Sequence, residues 1–582
     1  MKACNKLNWA AGAILLLCSC NTQEPIQTKI NEHPTTFCNP LNLNYRFMKI
    51  DGGEGIREAA DPVVIQFKDL YYLFASKSSG YWYSSDFNSW THVVIPDSVL
   101  PIEDYAPGLF VHDGYVYYAG STRGNAMLYR SNKPELGQWE KVKEVPSDWD
   151  PAFYVEGDKL YVYHGSSPSD PIYMSVLNLK TLEEEGKPVP CLNSNTKVHG
   201  WERPGEQNEL TRRPYIEGAW MTEHNGKYYL QYAGPGTEWK TYADGVYVSN
   251  SPAGPFVYAA NNPVSYKPGG FIGGAGHGCI FQVGETYWKA ATNSISVRHM
   301  FERRLSFFPT YFDGEGYMYT DTSFGDYPMF LPSGKKGVSN PEWMLLSYRK
   351  PVVASSVKEG FPVGNLVDED ARTAWVAQSA QNEWVDIDLK KLCRVNAIQV
   401  NYDEYGATQK GLAPDVYQSY VLWASRDGKD WYVIADKSVK KTDTPHDYIE
   451  FETPFDARYI KWENKAYTVS DNVSLREIRV FGKGYGPRPE AVQEMYVERN
   501  AGDPCKCKLN WTPVADADGY MIRYGISLDK QYHSYQVTND STSLDLNSLE
   551  ANRKYYFSIA AFNENGVGNY VSYDDKGLNN IH

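Results

Sequence analysis

Three stretches of the N-terminal half can be laid over one another: ADPVVIQFKDLYYLFAS from Ala60, APGLFVHDGYVYYAGS from Ala106 and DPAFYVEGDKLYVYHGS from Asp150. Each runs proline, apolar segment, turn and tyrosine-rich strand, and the prolines Pro62, Pro107 and Pro151 fall 45 and then 44 residues apart. Such a period is that of four-stranded propeller blades, each of which buries its faces only by stacking on its neighbours. Two looser copies follow, YIEGAWMTEHNGKYYLQYAG from Tyr215 and GHGCIFQVGETYWKAAT from Gly276, so five blades are expected. Longer inserts before the fourth copy (VHGWERPGEQNELTRRP) and within the fifth are expected to form rims.

At 582 residues the chain exceeds what one core accommodates. The texture changes at FLPSGKKGVSNPEW, a connector rich in Pro, Gly and Lys, and again at GKGYGPRPE. The expected organisation is all-β: an export segment over 1–20, a tether over 21–44, the propeller over 45–335, a jelly-roll β-sandwich over 345–483 and a small Ig-like sandwich over 489–578. Lys2 and Lys6 precede the apolar run WAAGAILLLCSC, which is too short for an ordinary spanning helix and reads as an export signal. Its end, Leu17 to Cys20, resembles a bacterial lipobox, which makes Cys20 the expected lipid anchor, contact with the membrane is then through that anchor only, and the location a Gram-negative cell envelope. A net charge of -14 supplies no field for phosphates, so nucleic acid is not an expected partner, whereas 46 Tyr and 16 Trp suit sugar surfaces. The nine cysteines form no disulfide framework, and Cys505-x-Cys507 reads as packing.

The fourth copy poses a question, because RRPYIEGAW sets Glu217 at the buried start of a strand. Asp61 and Asp150 open the first and third copies, so three carboxylates from distant parts of the chain are expected to converge on the propeller axis. Glycoside hydrolysis needs such a set: a general acid at the leaving oxygen, a second carboxylate that activates water, and a third anion that keeps the acid protonated. Taken singly, each Asp-Pro also serves as a turn device, Glu217 as an ion-pair partner of Arg212 or Arg213, and His277 as a structural histidine.

Asp61-Pro62, Asp150-Pro151, Glu217-Gly218 and GAGHG at 274–278 together resemble glycoside hydrolase family 43 over about residues 45–330. The resemblance implies an inverting mechanism with Asp61 as general base, Glu217 as general acid and Asp150 as pKa modulator, with His277 beside an axial ion or water site and no organic cofactor. Many members carry an aspartate in blade two where this chain has Gly108, so the resemblance leaves the sugar open. Trp82, Trp201, Trp220 and Arg298 are candidate sugar contacts, and HGWERPGEQN at 199–208 a specificity loop.

The middle segment resembles the discoidin or coagulation-factor type-C fold shared with carbohydrate-binding module family 32, in GNLVDEDARTAWVA, VDIDL, SRDGKDW and LREIRVFG. That resemblance implies a structural calcium held by Asn365, Asp368, Thr373 and Glu477. The last segment looks like fibronectin type III, with Trp511 and Tyr556 in the core and a spacer's role. The expected function is an exo-acting hydrolase, acting as a monomer, that releases terminal α-L-arabinofuranose from plant polysaccharide or oligosaccharide. β-D-xylosidase and galactofuranosidase or galactanase activity are alternatives, as are a non-catalytic surface glycan-binding protein and a calcium-dependent adhesin.

Overall fold

The computed structural model describes residues 26–538, 540–574 and 579–580; the export segment, Cys20 and residues 21–25 of the tether lie outside the described residues. Strands make up nearly all its regular structure, with three single turns of 3₁₀ helix among the described residues.

The first four blades are antiparallel four-stranded meanders that begin at Ala60–Phe67, Gly108–His112, Ala152–Glu156 and Glu217–His224. In the fifth, the inner edge is split into Gly273–Gly276 and Ile280–Val283, both paired with Thr286–Ser294. Hairpin chemistry explains the meanders: Asp113-Gly114 and Asn225-Gly226 each carry two successive positive φ angles, as a type I′ turn demands. An aromatic pair crosses every blade interface, namely Phe74 with Trp139, Phe110 with Phe153, Tyr154 with Tyr228, Tyr229 with Phe312, and Phe281 with Phe87. Centroid separations of 5.1 to 6.1 Å place these rings in the range of favourable edge, tilted and, for Phe281 with Phe87, stacked packing.

The second domain closes around Trp375, Trp462, Tyr402 and Tyr420, with the long strands Trp384–Tyr402 and His446–Tyr467 at its centre. The third packs a three-stranded sheet on a second sheet over Trp511, Tyr555 and Phe557. Tyr555 rather than Tyr556 fills the core, because strand alternation turns Tyr556 outward beside Lys554.

Docking of the domains corrects three expectations. Residues 26–44 are no loose tether: Ile26 joins the core of the second domain, Thr36–Phe37 pairs with Met329–Phe330, and Leu41 and Leu43 are buried in the propeller. The third domain is no spacer, since Tyr532 stacks on Tyr319 and donates to Asp313, while His533 hydrogen-bonds the carbonyls of Asn261 and Pro263. Loop 199–208 faces this domain through His199 with Glu550 and Arg203 with Asp503, so it buttresses the junction.

Between propeller and second domain lies a buried ionic network. Glu404 receives Arg57 at 3.4 Å, Arg304 at 2.8 Å and Arg476 at 3.1 Å, while Asp403 pairs with Arg298 and Arg476. Arg57 also pairs with Asp443, and Arg298 with Glu302. Burial and the neighbouring arginines hold His446 well below its ordinary pKa, so it stays neutral and its Nε2 accepts from Arg304.

Candidate active site

The five blades share one local geometry at the axis. Ala60, Tyr105, Trp149, Glu217 and Gly276 each meet a partner sixteen residues on, at Ser76, Ser121, Gly165, Ala233 and Thr292. The residue that follows has a left-handed backbone in all five: Asp61 (φ 54), Ala106 (φ 42), Asp150 (φ 48), Gly218 (φ 61) and His277 (φ 34). Asp61, Asp150 and His277 are therefore true equivalents, and all three are buried. Glu217 is not the blade-four equivalent of the two aspartates, as the sequence overlay has it. It stands one residue earlier, in register with Tyr105 and Trp149, and is half-buried as they are.

Hydroxyls fasten these turns. Thr292 accepts from the amide of Asp61, Ser76 from that of Ala106 and Ser121 from that of Asp150, each reaching the next blade. The blade-five turn uses a carboxylate instead: Asp244, ion-paired with buried Lys289, accepts from the amide of His277 at 2.8 Å. Ser76 and Ser121 also donate to the carboxylates of Asp61 and Asp150, at 2.5 and 3.2 Å. The Asp61 carboxylate is thereby tied through Ser76 to the backbone of blade two, and that of Asp150 through Ser121 of blade two to its own amide.

The acids sit within one electrostatic cluster. His277 Nδ1 lies 3.1 Å from Asp61 and 3.9 Å from Asp150, and Arg303 Nη1 lies 3.9 Å from Asp61 while its Nη2 pairs with Glu58. Burial pushes Asp150 up to about 7, with Glu217 and Asp61 raising it further against the opposing pull of His277 and Ser121. Burial alone would lower His277, but the carboxylates of Asp61, Asp150, Glu217 and Asp244 outweigh it and hold the imidazole above its ordinary value. Glu217 accepts from the hydroxyls of Tyr242 at 2.6 Å and Ser166 at 2.9 Å. Burial, then the Glu217 charge, raises Tyr242 well above the usual tyrosine range, so it remains a donor.

A pH dependence of stability follows. Native Asp150 binds its proton more tightly than the unfolded chain does, so this contribution is fully present below about pH 4 and falls as pH rises through about 7. Raised His277 acts in the same direction at its own titration. Asp150→Asn is expected to flatten the decline of unfolding free energy between about pH 4 and 7, as read from denaturant midpoints.

The expected sugar contacts lie elsewhere. Trp82 and Trp201 are 1% and 0% exposed; the indole of Trp82 donates to Asn44 and stacks on His92, and that of Trp201 donates to Tyr258. Trp220 packs between blades and donates to the carbonyl of Ile280. Arg298 is consumed by Asp403 and Glu302 at the domain interface. Large indoles and a desolvated guanidinium were recruited by the cores and the interface, which sequence spacing does not distinguish from a platform. Around the acids stand instead Arg303 and Tyr105, the latter ring-packed with Phe301 at 5.9 Å and covered by Lys77. Trp149 is the other aromatic in register with Glu217, immediately before Asp150-Pro151, a position legible in the sequence once the five turns are aligned.

Two ion sites were expected. Nδ1 of His277 is engaged with Asp61, which makes this side chain an ion-pair partner of the acids. Among the described residues no three His, Cys, Asp or Glu side chains are grouped to hold a metal. In the second domain the donors are of another kind. Burial raises Asp368 to about 6 and Glu477 well above its range, with Glu369 and Asp368 adding to the latter, and Glu477 Oε2 is buried without a hydrogen-bond partner. Two desolvated carboxylates with a free oxygen fit a hard cation. Thr373 donates to Asp368 and Asn365 donates to the carbonyl of Ala374, so these two shape the loop.

The five-bladed propeller gathers carboxylates from three blades in one electrostatic cluster, a set that glycoside hydrolysis can use. The family model for glycosyl hydrolases family 43 matches residues 56–316, that for the F5/8 type C domain residues 351–478, and that for the fibronectin type III domain residues 491–572. The propeller belongs to glycosyl hydrolase family 43, and the protein is a glycoside hydrolase. No curated protein matches the chain. Among solved structures, a thermostable family-43 glycoside hydrolase is 20% identical, covering 50% of this chain and 99% of its own, with a TM-score of 0.39. An endo-1,4-beta-xylanase from Bacteroides thetaiotaomicron (20% identity; 48% of this chain and 95% of that one; TM-score 0.37) is also similar. So is an exo-1,5-alpha-L-arabinanase from a bovine ruminal metagenomic library (20%; 47% and 99%; 0.36). Such figures say nothing of this chain's substrate.

Proposed function

We propose that the protein is an exo-acting, inverting glycosidase that removes terminal pentose from plant polysaccharide or oligosaccharide, α-L-arabinofuranose first and β-D-xylose second, with galactofuranose chemistry as a further alternative. The observation that carries this reading is the approach of Asp61 and Asp150 to His277 Nδ1, at 3.1 and 3.9 Å, with the charge of Glu217 acting on both His277 and Asp150. Asp61, oriented by Ser76 and flanked by His277 and Arg303, takes a proton from the attacking water. Glu217, half-exposed and held by Tyr242 and Ser166, protonates the departing oxygen. Asp150, against the same histidine, adjusts the charge both others feel. A panel of aryl glycosides and plant oligosaccharides, with released sugar identified by chromatography and the anomer of the first product followed by NMR, tests it. Fastest turnover on an aryl α-L-arabinofuranoside with inversion is the expected result; glycan retention without turnover on any substrate would point to a binding protein.

Calcium is proposed as a structural ligand of the second domain, at Asp368 and Glu477. Calcium at about 100 times Kd is expected to add about 2.7 kcal/mol to unfolding, read as a rise in Tm that a chelator reverses. Glu477→Gln abolishes that response while keeping the metal-free protein folded, since the amide carries no buried charge. The lipobox-like end of the leader supports attachment through Cys20 to the envelope of a Gram-negative cell.

A further inference from the structure

A cavity of about 550 Å³ lies where all three domains meet, within the range of small-molecule sites. The propeller contributes Lys240 and Ser294, the second domain Arg372 and Asp370, the third Tyr535 and Gln536. Three observations mark it as more than a seam. Gln536 is 6% exposed, yet both its Oε1 and Nε2 lack a hydrogen-bond partner. Arg372 spends Nη1 on Glu206 and leaves a buried Nη2 unpartnered. Lys240 is half-buried and forms no salt bridge among the described residues, and desolvation lowers its pKa.

The chemistry of the lining selects a ligand class. The wall mixes the carboxylates of Asp370 and Asp545 with the cationic heads of Lys240, Arg349 and Arg372, so neither sign of free ion is selected, and apolar ligands are disfavoured by the buried amide and guanidinium. Amide, ammonium, guanidinium and carboxylates on one wall supply donors and acceptors side by side, which adjacent hydroxyls match because each both donates and accepts. We propose that this junction is a second carbohydrate site that takes a neutral oligosaccharide, with the Gln536 amide as its central contact. It rests on the proposed hydrolase reading for its purpose, which is to hold a part of the substrate that is not cleaved.

The placement favours that purpose. Lys240 and Tyr242 lie two residues apart on the connection between Lys227–Gly234 and Ala243–Ser249, the first lining the cavity and the second donating to Glu217. Ser294 ends the strand that carries Thr292, whose hydroxyl accepts from the amide of Asp61. A glycan seated at the junction therefore bears on the two segments that position acid and base.

The test titrates full-length Asp61→Asn protein with short arabino-, xylo- and galacto-oligosaccharides by calorimetry, alone and combined with Gln536→Ala or Lys240→Ala. Two binding events, one of them lost in each combination at unchanged Tm, is the result expected. In the active background, kcat/KM on an oligosaccharide falls about tenfold more than on an aryl monoglycoside. A single event that neither substitution alters, or equal kinetic losses on both substrates, overturns the proposal and leaves a cavity that holds water only. Aryl glycosides are assayed in parallel. Hydrolysis without any Gln536 dependence preserves the hydrolase reading and removes this site, whereas Gln536-dependent binding without hydrolysis does the reverse.

Discussion

Glu217→Gln is expected to lower kcat on natural glycosides by about 10²–10⁴-fold and far less on aryl glycosides whose leaving group needs no proton. Asp61→Asn removes the base instead, so its loss is expected to be the same whatever the leaving group. This contrast reads acid and base apart without a structure of the complex. Asp150, raised to about 7, is the internal control. Should Asp150→Asn show the leaving-group signature and Glu217→Gln not, the two would exchange roles. Tyr242→Phe removes one of the two hydroxyls on Glu217, and is expected to lower kcat on natural glycosides more than on activated aryl glycosides.

The second large effect concerns stability. Glu404→Gln leaves Arg57, Arg304 and Arg476 without their shared carboxylate in a buried setting, where breaking a pair costs about 3–5 kcal/mol. Denaturant unfolding at neutral pH measures it. Glu404→Gln combined with Arg304→Met is expected to recover part of the loss, because one unpaired charge is removed. An exposed pair such as Arg130 with Glu140 serves as comparison and is worth about 0–1 kcal/mol. Four arginines outweigh desolvation and hold Glu404 down at about 2. Its contribution is therefore complete above its ordinary range and decays as pH falls from about 4.5 to about 2. A chain cut after residue 335 loses the same carboxylates and is expected to be insoluble.

Much of the propeller was legible because the hairpins repeat tyrosine-rich strands and turn residues at a constant interval. Blade four shows where legibility ended. An overlay anchored on prolines finds none at the head of blade four, where Gly218 takes the left-handed position, and so sets Glu217 one place out of register. The error is small in sequence and large in consequence, since it separates buried acids from a half-exposed one. The tryptophans failed for another reason. Nothing local distinguishes a Trp that closes a blade from one that faces a sugar; Trp201 is buried by Tyr232 and Tyr258, which lie far along the chain. Domain docking was illegible for the same cause: Asp403 and Glu404, in NYDEYG, look like a solvated loop until the arginines of another domain are brought against them.

Asp61, Asp150 and His277 hold backbone angles at which glycine would rest more easily. Each such side chain is thus retained against the preference of the polypeptide beneath it, and a lineage released from selection for turnover would find relief in replacing it. Inert descendants of this architecture should be common, at least as durable as their parent, and recognisable by glycines at those three turns.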